Sequence, residues 1–123
     1  MGVELIYTAG NRSLAMAEIA VHFTASTLPP DFVMVTIYIP DDLKIKSIAR
    51  TQLPPHWNAF PFPKSTQIIG DKFVRDNKHC ILKIPSVVTQ GDFNYLLNPK
   101  HAEFSKIKIV GTEKFPLDSR IFK

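Results

Sequence analysis

Apolar and polar positions change their period several times along this chain. Val3-Glu4-Leu5-Ile6-Tyr7 predicts a short strand that stops at Thr8-Ala9-Gly10. Asn11 or Ser13 then caps a helix running to about Phe23. Residues 32–39 are β-branched and aromatic almost throughout, the pattern of a buried central strand. Residues 43–49 alternate isoleucine with lysine, which predicts a more exposed strand. Residues 53–63 hold four prolines with Trp57, Phe60 and Phe62, so they predict an ordered loop pinned by aromatics. Ser65 or Thr66 can cap a second helix over residues 67–75, with Ile68, Ile69 and Phe73 facing inward and Gly70 as its weak point.

Beyond that helix, residues 80–84 predict a strand stopped by Pro85, and Ser86-Val87-Val88 continues in extended form. Gly91-Asp92 marks a turn, residues 94–101 are apolar only in their middle, and residues 104–110 predict a strand ended by a turn at Gly111-Thr112. Residues 114–117 add a last edge piece. Strands outnumber helices without strict alternation, so the pattern predicts a compact single α+β domain with a mixed or antiparallel sheet and few helices.

One carboxylate breaks the pattern. Glu18 is the only charge between Leu14 and Val21, and three of its four helical neighbours, Leu14, Ala15 and Val21, are apolar; the fourth is His22. A carboxylate beside an apolar face costs stability unless it is paired, and proteins accept that cost where the group does chemistry. The plainer alternative is a Glu18–His22 surface pair.

Composition narrows the classes. The 123 residues are 45% hydrophobic and 21% charged, ordinary for a globular protein that folds around one core. Cys80 is the only cysteine and sits in an apolar run, so no internal disulfide forms and a reducing cytoplasm is the expected compartment. No signal peptide and no membrane span are expected, because no apolar stretch is long enough. The net charge of +4 is a mild bias, and aromatics do not interleave with the lysines as a stacking platform for bases requires. Direct nucleic-acid binding is therefore not expected, whereas a cleft for a phosphate-bearing small molecule fits the charge. There is no Gly-rich phosphate loop, no Gly-x-Ser-x-Gly elbow, and no histidine pair at metal-ligand spacing, so no metal site is expected.

What remains is an ordered series: Tyr7-Thr8-Ala9, Ser13-Leu14-Ala15, Glu18 and His22, then Leu53-Pro54-Pro55-His56-Trp57 and Thr66-Gln67-Ile68-Ile69-Gly70-Asp71. It closes with Ile84-Pro85-Ser86-Val87-Val88, Asn94-Tyr95-Leu96-Leu97-Asn98-Pro99-x-His101 and Asp118-x-Arg120. In this order the chain resembles the RES-domain family, mostly bacterial toxins of toxin–antitoxin pairs, over nearly its whole length. The resemblance implies a fold like that of ADP-ribosyltransferase toxins, with a cleft for NAD+ as substrate and no separate cofactor. It implies cleavage of the nicotinamide–ribose bond with water or phosphate as acceptor, and an antitoxin carrying a helix-turn-helix DNA-binding domain that blocks the cleft.

In that frame Glu18 stabilises positive charge on the ribose and Tyr7 stacks on the nicotinamide ring, while Ser86 and Asn94 contact the substrate. Each has a structural alternative: Tyr7 as a core aromatic, Ser86 as a turn cap, Asn94 and Asn98 holding their own loop. The family also carries a segment ahead of the Tyr strand, with an Arg that grips the dinucleotide. Tyr7 follows Met1 too closely for that segment, and Arg12 lies in the wrong block to replace it. The expectation is an N-terminally truncated RES-like domain over residues 1–123, with weakened NAD+ binding and an uncovered strand edge that favours self-association. A catalytically inactive module that binds an antitoxin-like partner is the competing function.

Overall fold

The computed structural model describes residues 4–23, 27, 31–53 and 64–115. Within them a strand β1 (Ile6–Ala9) leads into helix α1 (Arg12–His22), and β2 (Val33–Tyr38), β3 (Ile45–Ser47), helix α2 (Lys64–Asp76), β4 (Ile81–Pro85), β5 (Phe93–Leu97) and β6 (Lys108–Lys114) follow. The strands form two separate sheets. Four of them make a mixed sheet in the order β1-β5-β4-β3, and the other two make an antiparallel ribbon of β2 and β6. The architecture is the expected α+β class.

The mixed character has a simple cause. β4 and β5 are joined by a short turn and run antiparallel, as do β1 and β5. β3 and β4 run parallel, which requires a crossover, and α2 lies in that connection. The helix packs on one face of the sheet, where Phe73, Leu82 and Leu96 are buried with Leu5, Ile69, Val74 and Ile84 around them. On the opposite face Leu43, Cys80, Ile81 and Leu97 form a second cluster, joined by Ile37, Ile39, Tyr95, Phe104 and Ile107. The central strands β4 and β5 thus feed both layers by alternation.

Asn11 caps α1, its side chain accepting the Leu14 N–H at 2.8 Å. Gly10 is needed where β1 turns into α1: its N–H donates to the Phe93 carbonyl, and a Cβ there would sit 2.9 Å from that same oxygen. Gly70, the weak point of α2, is buried, and Leu5 of the β1 approach lies 3.2 Å from where its Cβ would be.

The structure corrects several expectations. Residues 32–39 do not form a central strand. Among the described residues β2 pairs only with β6, and Val33, Val35 and Tyr38 are exposed, with Met34 buried. Its apolar run covers a two-sided ribbon whose ends are pinned. Ile37 and Ile39 pack on the sheet core, and at the other end Phe32 stands edge-to-face between Phe23 and Phe115. Gly111-Thr112 is no turn; it lies inside β6, beside a bulge where Thr36 faces Gly111 and Ile37 faces Ile109. The preceding residues 102–106 form a 3-10 turn rather than strand. Ser65 and Thr66 fall inside α2, which begins at Lys64, and Ile68 faces solvent instead of the core. The aromatic loop at residues 54–63, the last edge piece beyond Phe115, the Asp118-x-Arg120 block and the side chain of His22 lie outside the described residues.

Candidate functional site

A cleft of about 970 Å³ opens between the edge strand β1, helix α1 and the inner side of the ribbon. A volume of this size is at the upper end of what small-molecule and cofactor sites use. Its walls are mostly apolar, with a few polar groups from separate elements.

Tyr7 enters from β1. Strand alternation puts it on the same face as Leu96, its cross-strand partner, yet the residue is 73% exposed, on the strand that edges the sheet among the described residues. The core-aromatic alternative is therefore excluded: Tyr7 lies at the cleft wall and is largely exposed. Asn94 follows on β5, opposite Ala9, and its side-chain N–H donates to the Thr8 carbonyl at 3.3 Å. That bond orients the amide and leaves its oxygen as an acceptor. The Thr8 hydroxyl donates to the Tyr95 carbonyl at 2.8 Å, so β1 is tied to β5 through side chains as well as through the ladder.

Glu18 enters from α1. Arg12, Ala15, Glu18 and Ile19 all line the cleft, a stripe at helical spacing. Leu14, on another face of the same helix, is fully buried. The half-buried Glu18 thus shares one cleft with Tyr7 and Asn94, brought together from three elements.

Ser86 is placed differently. It is 5% exposed and does not line the cleft, although Pro85 and Val87 on either side of it do. Its hydroxyl oxygen accepts the N–H groups of Val88 and Thr89 at 3.0 and 3.1 Å, and its own N–H donates to the Asp92 carbonyl. Ser86 therefore caps the turn after β4, which also replaces the extended run expected for residues 86–88.

The Asn-x-x-x-Asn-Pro-x-His block divides between two jobs. Asn94 is at the cleft, whereas Asn98 is buried, donates to Asn77 Oδ1 at 3.0 Å and accepts the Lys100 N–H at 3.1 Å. His101 Nδ1 accepts the Glu103 N–H and caps the 3-10 turn at residues 102–106. Asn77, the one described non-glycine residue at positive φ, is held in that conformation beside Asn98.

Arg12 is the first residue of α1. Its guanidinium donates to the Glu113 carboxylate of β6, tying α1 to the ribbon. The hydrogen bond and charge of Glu113 push the Arg12 pKa above its ordinary value. Cys80 is buried, and burial holds its thiol above the usual range. Among the described residues no group of three or more His, Cys, Asp or Glu could hold a metal ion, and no helix is long and apolar enough to cross a membrane.

The RES-domain family model covers residues 1–118. The chain belongs to the RES family. It is 30% identical over its full length to a Prs ADP-ribosylating toxin of Sphingobium, covering 78% of that protein. It is 33% identical to a Toxin Res of Pseudomonas putida, with 98% of this chain and 81% of that protein aligned. A Toxin Res of Photorhabdus laumondii is 34% identical over all of this chain and 79% of its own.

Proposed function

We propose that this protein is a toxin that consumes NAD+ by breaking the bond between nicotinamide and ribose. The observation that carries the reading is the convergence of Tyr7, Glu18 and Asn94 on one cleft of about 970 Å³. Relatives named Toxin Res and Prs ADP-ribosylating toxin support it. In this reaction the C1′–N bond breaks, its electron pair leaves with neutral nicotinamide, and the ribose ring carries the positive charge. The transition state resembles the oxocarbenium ion of glycoside hydrolysis. The Glu18 carboxylate faces that charge from the helix, Tyr7 stacks on the leaving ring, and the Asn94 amide oxygen accepts from a ribose hydroxyl. The oxygen of water or of inorganic phosphate then bonds to C1′ on the open side and gives up its proton. Ser86 supports the site by holding the turn between Pro85 and Val87.

The partner in this reading is an antitoxin with a helix-turn-helix DNA-binding domain, seated over the cleft. The protein acts in the cytoplasm, where NAD+ is available.

The test is NAD+ depletion by the purified protein, with nicotinamide measured as product. Glu18→Gln keeps the side-chain shape and removes the charge, and turnover should fall about 100- to 1000-fold. Equal turnover by wild type and Glu18→Gln would remove Glu18 from the chemistry. A second reading, a binding module without catalysis, draws on the exposed Ile109 and Val110 of the ribbon. It requires the wild-type protein to leave NAD+ intact.

A further inference from the structure

Among the described residues lining the cleft, Arg12 is the only basic side chain and Glu18 the only acidic one. Both belong to the stripe of α1 that faces the cleft, six residues apart. At 1.5 Å rise per residue their offset along the helix axis is about 9 Å. A dinucleotide also separates two charges: cationic character develops at C1′ of the ribose, and the diphosphate lies beyond the 5′ carbon at the far side of the same ring. With the developing cation at Glu18, the diphosphate falls toward Arg12.

We propose, on the basis of the NAD+ reading above, that Arg12 is the diphosphate contact of this cleft and that Glu113 is its resting partner. The ion pair with Glu113 suits that role. Both side chains are more than half exposed, 56% and 51%, so water already competes for the pair and little is lost when it opens. Arg12 meets Glu113 through one nitrogen, Nη1 to Oε1, whereas a diphosphate offers the guanidinium planar, bidentate contacts with more negative charge. When substrate enters, Arg12 exchanges the Glu113 carboxylate for phosphate oxygens. When the cleft is empty, Glu113 keeps the guanidinium at the wall. The pair therefore selects for a phosphate-bearing ligand over a plain nucleoside.

Calorimetric titration of the protein with two probes tests this. ADP-ribose carries the diphosphate and lacks nicotinamide; nicotinamide riboside carries the reacting bond and no phosphate. Arg12→Ala should weaken ADP-ribose binding roughly ten- to hundredfold, the range of a lost charge-assisted hydrogen bond, and flatten its salt dependence. Nicotinamide riboside binding should be unchanged. Glu113→Gln should tighten ADP-ribose severalfold by releasing the guanidinium. If Arg12→Ala leaves ADP-ribose affinity at the wild-type value, or weakens both probes alike, the assignment is overturned. It is likewise overturned if Glu113→Gln weakens ADP-ribose as much as Arg12→Ala does, since the pair is then only a strap between α1 and the ribbon. Wild-type protein that binds neither ADP-ribose nor NAD+ overturns the dinucleotide reading itself, a result distinct from any failure of the Arg12 variants.

Discussion

The two sheets of this domain are built on opposite terms. In the four-stranded sheet, Ile81, Leu82 and Leu97 are fully buried between α2 on one face and the Leu43–Phe104 side on the other. The β2–β6 ribbon has similar residue types but leaves Val33, Val35, Tyr38, Ile109 and Val110 exposed. It is held at its two ends, by Ile37 and Ile39 on the sheet core and by Phe32 against Phe23 and Phe115. The four-stranded sheet is the scaffold that carries Tyr7 and Asn94 into the cleft, and the ribbon adds a further wall through β2. Apolar content alone does not separate them, because burial depends on what covers each face.

That contrast predicts a steep gradient of mutational cost. Leu97→Ala in the sheet should destabilise the protein most, by about 2–5 kcal/mol, because a fully buried leucine leaves a cavity that its neighbours fill only in part. Urea denaturation measures it, and a cost near zero would mean that the sheet core is loosely packed. Asn98→Ala should come next. It removes the partner of Asn77 and of the Lys100 N–H, and unpaired buried polar groups cost about 1–3 kcal/mol. Calorimetric titration should show no change in ADP-ribose affinity, since Asn98 does not line the cleft. Ile109→Ser on the ribbon should be smallest, within about 0.5 kcal/mol, as expected for a side chain that is 70% exposed. A cost above 1 kcal/mol there would show that the ribbon carries core of its own.

Much of this was legible from the chain. The run of Tyr7, Gly10 and Asn11 before a helix with one carboxylate gave β1, α1 and its cap, and the ordered motifs gave the family. The ribbon was not legible, because a β-branched run such as residues 32–39 looks the same whether one strand or two sheets flank it. Gly111-Thr112 misled for a related reason: glycine marks a bulge as readily as a turn. At the site, Glu18 stood out by local pattern, whereas Tyr7 entered only through the family motif. The value of Arg12 depended on Glu113, a partner 101 positions away, and no local window contains such a pair. Ser86 carries a family motif, yet its contacts are those of a cap, and sequence alone offers both uses.

The join between β1 and α1 sets a length standard. Tyr7 and Glu18 are fixed relative to each other by four strand residues, by Gly10 pressed against the Phe93 carbonyl, and by a capped helix. One inserted residue between Asn11 and Glu18 would turn the rest of the helix by about 100° and carry the carboxylate off the stripe. The ribbon already absorbs an extra residue at Val110 as a bulge without losing its pairing. Insertions and deletions should therefore accumulate among relatives in the ribbon and its loops, while the interval from Tyr7 to Glu18 keeps its count even where the residues between them drift.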